Sequence, residues 1–247
     1  MVPPIFEIGL KGYCYGRDAV ELAVAADRAS QRYRVQVIFD PQLVDLPACV
    51  EATEQLLIFA QHMDAVEVGP GCGAVLPEAL KQAGAHGTLL NHAERRLTLR
   101  DIRLTIQRAR EVGLLTLVCA DSPTEAAAIA QLGPDTILAE PPELIGTGRS
   151  VGTAGGDFIK QSQKMIKSVN PGIIVFNSAG IRTPQDVYDI IMRGAEATGS
   201  TSGIVKSADP VNTLTAMIKA VRDAWDARHP HAAGGAGNRE APGKEAP

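Results

Sequence analysis

Aromatic residues make up only 4% of this 247-residue sequence, and there is a single tryptophan. Its core must therefore be mostly aliphatic, which suits parallel strands covered on both faces. Cysteine is also sparse: Cys14, Cys49, Cys72 and Cys119 lie far apart, without the paired spacing of a metal site. They read as reduced thiols in a cytoplasmic protein. No apolar run approaches the ~18 residues of a membrane span. The opening Met1-Val2-Pro3-Pro4-Ile5 has neither the cationic nor the apolar region of a secretion signal. A membrane is therefore not an expected partner. Lys and Arg number 24 against 28 Asp and Glu, mixed along the chain for a net charge of −4. With no basic stripe interleaved with aromatics, nucleic acid is not an expected partner either.

What the chain does have is alternation. Short apolar runs read as strands at 5–10, 35–39, 56–60, 87–90, 115–119, 136–139, 172–176 and, weakly, 195–199. Helical patterns lie between them at 18–33, 46–55, from 77, and at 98–112, 122–131, 157–169 and 183–192. A single turn at 202–205 and a long helix at 209–228 follow. Strict strand–helix alternation predicts a parallel sheet. Eight such units in a chain of roughly 250 residues predict closure into a single α/β domain, a (β/α)8 barrel. The expected barrel covers residues 1–228; the Pro-, Gly- and Ala-rich stretch 229–247 has no periodicity and reads as a disordered tail.

In such a barrel the chemistry belongs at the C-terminal ends of the strands. The sixth strand ends on Glu140, and Pro141 and Pro142 stop it at once. Leu144, Ile145, Gly146, Thr147 and Gly148 follow, as the tip and hinge of a loop. This pattern fits a catalytic base under a lid, and equally a surface turn carrying a solvated glutamate. The other strand ends favour the base. Lys11 follows strand one, His92 and Glu94 follow strand four, and Ser178-Ala179-Gly180 and Ser200-Thr201-Ser202-Gly203 follow strands seven and eight. Small residues there let backbone N–H groups approach an anion, next to a short helix. A cation, an imidazole, a carboxylate and a phosphate cradle together suit proton abstraction beside a carbonyl in a small phosphorylated sugar. His62 reads as structural and Cys119 as core, while Glu94 fits both a supporting role and a simple pair with Arg95 or Arg96.

Asn91-His92-Ala93-Glu94-Arg95-Arg96 and Glu140-Pro141-Pro142-Glu143-Leu144-Ile145-Gly146-Thr147-Gly148 together resemble the strand-four and lid motifs of the triosephosphate isomerase family, in its shorter archaeal-type branch. The resemblance runs to about Asp226. It implies the TIM barrel fold and an aldose–ketose isomerase acting through an enediolate, without a cofactor. In that family a glutamate is the base and the imidazole stays neutral. By resemblance, Glu140 is the base, His92 the neutral electrophile, and Lys11 the cation that balances developing charge and helps to hold phosphate. Glu94 supports the site from behind. Backbone near Ile145, Gly146, Gly180, Thr201 and Ser202 binds the phosphate. The resemblance also implies a homodimer or homotetramer.

The chain departs from the family pattern at strand one. Gly9-Leu10-Lys11 stands where the family reads Asn-x-Lys, so the substrate-contacting Asn is absent. Ala93 replaces a serine, and Ser178-Ala179-Gly180 stands where the branch more often reads Gly-Ala-Gly. A site opened by Gly9 would admit a related sugar phosphate such as a tetrulose phosphate. A barrel that binds sugar phosphate without turning it over is the non-enzymatic alternative. Another phosphate-binding barrel, such as an amino-acid biosynthetic isomerase, would need a different set of strand-end residues.

Overall fold

The computed structural model describes residues 1–145, 147–154 and 157–230. The expected tail lies outside the described residues, apart from His229 and Pro230. In chain order the elements are β1 (Ile5–Gly9), α1 (Gly16–Tyr33), β2 (Gln36–Asp40), α2 (Leu46–Ala52), β3 (Leu57–Ala60), α3 (Pro77–Gln82) and β4 (Gly87–Leu90). Next come α4 (Leu99–Val112), β5 (Leu115–Ala120), α5 (Pro123–Ala130) and β6 (Thr136–Ala139). A 3-10 turn at Pro142–Leu144 leads to α6 (Val151–Ala154), α7 (Phe158–Val169) and β7 (Ile174–Asn177). The chain continues with α8 (Pro184–Met192), β8 (Ala197–Gly199), α9 (Ser202–Val205) and α10 (Pro210–Arg228). The strands pair in parallel in sequence order and close between β1 and β8, giving the expected (β/α)8 TIM barrel.

The helices start where the side chains supply caps. Thr98 accepts the Asp101 N–H at 3.1 Å, and Ser122 accepts that of Glu125 at 3.1 Å. Thr183 and Asp186 form a reciprocal capping box. Pro stands at the start of α5, α8 and α10, where its missing N–H removes no helical bond. The β7 strand starts two residues later than its apolar pattern suggests. Pro171 and Gly172 hold a turn in which the Gly172 N–H donates to Asn170 Oδ1 at 2.9 Å.

Two apolar regions hold the barrel. One lies between sheet and helices. The other fills the lumen, where Ile5, Ile38, Phe59, Leu117, Phe176 and Ala197 are fully buried. The lumen is packed so tightly that Gly87 has no room for a side chain: a Cβ there would meet Phe59 Cζ at 2.5 Å and the Leu115 carbonyl at 2.6 Å. Strand alternation sets which residues face inward. Ile5 points into the lumen, so Glu7 and Gly9 do as well, one and two layers higher. Ile38 likewise places Asp40 inward.

Candidate active site

The strand C-termini frame a cavity with two lobes. One, of about 320 Å³, reaches from Gln42, Gln61 and His92 down to Asp40, Leu89 and Leu138. The other, of about 230 Å³, is lined by Ile145, Ser178, Gly180, Ser200, Thr201 and Ser202. Glu7, Lys11, Glu94, Glu140 and Thr201 line both.

Lys11 follows β1 in a left-handed backbone conformation (φ 50°), which costs a non-glycine residue energy that its surroundings must offset. Its carbonyl accepts from the side-chain amides of Gln42 and Gln61, the latter at 3.1 Å. Amides from two neighbouring strands thus clamp the turn. The Lys11 Nζ lies 2.9 Å from Glu94 Oε1. Glu94 is 61% exposed, at the mouth of the cavity. Partial burial opposes its ionisation, yet the Lys11 ammonium holds its carboxyl below the usual range. Arg96 is engaged instead by Asp121 at 3.0 Å and by Glu125.

His92 is placed by the residue before it. Asn91 is buried with φ 58°. Its Nδ2 donates to the Cys119 carbonyl and its Oδ1 accepts the Leu97 N–H, both at 2.9 Å. The Glu94 N–H donates to His92 Nδ1 at 3.1 Å. Nδ1 is thus the acceptor, so the ring carries its proton on Nε2. Burial, and then the Lys11 charge, lower the His92 pKa to about 4. The imidazole is neutral at any ordinary pH.

Glu140 follows β6, its N–H bonded to the Ala120 carbonyl at 3.0 Å. Its carboxylate makes no hydrogen bond to another described residue. Burial, and then the nearby Glu7, raise its pKa to about 7, the range in which a carboxylate is a useful base. The proline pair after it winds into the 3-10 turn. There Leu144 is buried and Ile145 packs partly on the core while lining the second lobe. Gly146 lies outside the described residues.

Gly180 has φ 70°, and a Cβ there would meet the Arg149 carbonyl at 2.0 Å. The loop after β7 therefore lies directly against the descending arm of the lid. Gly203 is as confined, with its Cβ position 2.4 Å from the Ile181 carbonyl. The N–H groups of Gly180, Thr201 and Ser202 donate to no backbone carbonyl among the described residues and line the second lobe. The structure therefore brings Lys11, His92, Glu94, Glu140, Ile145, Gly180, Thr201 and Ser202 together around one space. His62 lines the first lobe, but its Nε2 is held by Asp64 at 2.9 Å. Cys119 is buried in the lumen, where burial pushes its thiol well up.

Sequence reasoning missed two residues. Glu7 and Asp40 are both buried, 7% and 0% exposed, and both line the first lobe. Burial raises both carboxyls, and the charge of Glu7 raises Asp40 further. Asp40 is thus the member that keeps the proton. The pair corrects the expectation that Gly9 opens the site. A Cβ at residue 9 would sit 2.6 Å from Glu7 Oε1, so the space that glycine leaves is filled by that carboxyl. A Cβ on Gly199 would meet Glu7 Oε2 at 2.2 Å. A charged residue two positions after Ile5, in an apolar strand, was the available signal.

Comparison with known proteins agrees with this geometry. The family model described as triosephosphate isomerase matches residues 8–191. The chain is 40% identical over 224 residues to the triosephosphate isomerase of Sulfurisphaera tokodaii, covering 88% of this chain and 95% of that protein. It is 36% identical over 223 residues to that of Methanosarcina mazei, covering 90% of this chain and 100% of that protein. Against the Sulfolobus acidocaldarius enzyme, identity is 35% over 234 residues, with 92% and 99% covered. The chain belongs to the triosephosphate isomerase family.

Proposed function

We propose that this chain interconverts dihydroxyacetone phosphate and glyceraldehyde 3-phosphate through an enediolate. The observation that carries the reading is a carboxylate with its pKa raised to about 7, facing a neutral imidazole and a lysine across one cavity. Glu140 takes the proton from the hydroxyl-bearing carbon and returns it to the neighbouring carbon. His92, with its proton on Nε2, hydrogen-bonds the substrate oxygen on which negative charge grows. Its pKa of about 4 means that it donates as a neutral group and needs no deprotonation first. Lys11 offsets the charge of the enediolate. The phosphate lies over Ile145, Gly180, Thr201 and Ser202. Water exclusion by the lid protects the intermediate.

The test is proton NMR in deuterated water with dihydroxyacetone phosphate. Isomerisation with deuterium entering the carbon beside the carbonyl is expected; no exchange would overturn the reading. The tetrulose phosphate alternative loses its ground, because the space beside Gly9 is occupied by Glu7.

The same reading makes the protein a cytoplasmic homodimer or homotetramer. The cysteines, free among the described residues, support a reducing compartment. No helix among the described residues is long and apolar enough to cross a membrane. Light scattering on a chromatographed sample is expected to give a multiple of 26.1 kDa; a lone monomer would refute the assembly.

A further inference from the structure

The acid pair beneath the site has no part in the chemistry above. Glu7 and Asp40 lie on neighbouring strands, paired through Gly9↔Asp40 and Glu7↔Ile38. Neither Asp40 oxygen has a hydrogen-bond partner among the described residues, and the charge that acts on it is that of another acid, Glu7. Two carboxyls buried side by side on paired strands, lining one lobe, do not both ionise. The charged groups around Glu7 are Asp40 from β2, Lys11 from the β1 loop and Glu140 from the β6 loop. The Lys11 ammonium acts on Glu7 through its charge but hydrogen-bonds Glu94, so among the described residues no cation bonds the pair directly. Burying two carboxyls costs free energy, so stability gives no reason to keep the pair. Room for the Glu7 carboxyl has nevertheless been left at Gly9, and at Gly199, where the Glu7 backbone carbonyl also lies 2.8 Å from the Cβ position.

Position suggests what the pair meets. Glu7 lines both lobes, so its carboxyl lies under the place where they join. With the phosphate over the β7 and β8 loops, that place receives the carbon chain. A carboxylate there repels phosphate and accepts from a hydroxyl. Resting on the isomerase reading, we propose that Glu7 and Asp40 are a specificity-determining pair: Asp40 donates its proton to Glu7, and Glu7, so fixed as an acceptor, takes a hydrogen bond from the free hydroxyl of the substrate. The ligand class is a ketose or aldose phosphate with a hydroxyl beside the reacting carbonyl. A site built on such a contact discriminates against the analogue lacking the hydroxyl.

The test uses the full chain carrying Glu140→Gln, so that ligands bind without turnover. Calorimetry compares dihydroxyacetone phosphate, acetonyl phosphate (the same ketone without the free hydroxyl) and inorganic phosphate. Adding Glu7→Leu, which removes the acceptor, is expected to weaken dihydroxyacetone phosphate about tenfold or more, leaving the other two within about twofold. Asp40→Asn still donates to Glu7 and is expected to keep the preference for the hydroxyl; Asp40→Ala is expected to lose it. Unchanged dihydroxyacetone phosphate binding in the Glu7 variant, or equal weakening of all three ligands, overturns the proposal. So does a full hydroxyl preference in Asp40→Ala. Exchange in the NMR assay by the unmodified chain, without this split, sinks the pair alone. The split without exchange sinks the isomerase and leaves the contact standing.

Discussion

The lower and upper lumen of this barrel are built from the same strands and differ completely. On β1 and β2 the lower layer holds Ile5 and Ile38, fully buried. Two residues further along each strand, about 7 Å higher, come Glu7 and Asp40. Below, apolar side chains interdigitate and Gly87 yields its space to Phe59. Above, Gly9 and Gly199 yield theirs to a carboxyl, and a third acid, Glu140, stands nearby. The lower layer stabilises by burial and packing. The upper one holds acids out of water, at a cost in stability that raises Glu140 into the range of a base. Within a few ångströms the fold passes from cohesion to chemistry.

The hardest break of that contrast is Glu140→Gln. Turnover is expected to fall roughly 10²–10⁴-fold, the usual worth of a general base, in a coupled assay of triose phosphate isomerisation. The same variant should gain thermal stability at pH 8. The folded carboxyl has its pKa raised from 4.5 to about 7, so its contribution is fully present below 4.5 and lost as pH rises through about 7. Calorimetric melting should therefore show the variant above the parent at pH 8 and level with it near pH 4.5.

A single methyl placed in each layer sharpens the contrast. Gly87→Ala would press on Phe59 and on the Leu115 carbonyl, costing about 1–3 kcal/mol of stability while leaving kcat/KM unchanged. Gly9→Ala would press only on the mobile end of Glu7 and on Thr201 Oγ1 at 3.3 Å. Its kcat/KM is expected to fall roughly ten- to hundredfold, since small displacements in a site are expensive, with a smaller loss of melting temperature. If the two variants exchange these signatures, the division of the lumen is wrong.

The smallest effect is on pH dependence. The acid limb of kcat/KM should follow Glu140, not His92, whose pKa of about 4 lies below it. Glu7→Gln removes one of the charges that raise Glu140, so the limb should move modestly to lower pH. A limb that stays in place means that Glu7 does not set the base.

The barrel was legible because strands and helices alternate with clean punctuation, and the gathering of Lys11, His92 and Glu140 around one cavity was legible because each lies within two residues of a strand's C-terminal end. What the sequence concealed depends on closure. Glu94 bonds a lysine 83 residues away, a partner that only the ring of strands brings near; sequence proximity pointed to Arg95 and Arg96 instead. Gly9 read as a hole because a glycine says nothing about what its neighbours place in the space it leaves. Glu7 was hidden inside an apolar run, although its period-two spacing from Ile5 fixed its direction. The start of β7 was set by a turn around Asn170, which apolar patterning does not register.

The interlock of Gly9, Glu7 and Gly199 also restricts how this chain can change. A side chain introduced at residue 9 or 199 first meets a carboxyl already in place; shortening Glu7 first clears residue 9, whereas at residue 199 the Glu7 backbone carbonyl, 2.8 Å from the Cβ position, remains. The order of steps therefore matters, and the effects of changes at these three positions cannot be added. A route from this arrangement to one with a substrate-facing side chain on residue 9 therefore begins at residue 7, so residues 7 and 9 change together while residue 199 stays glycine.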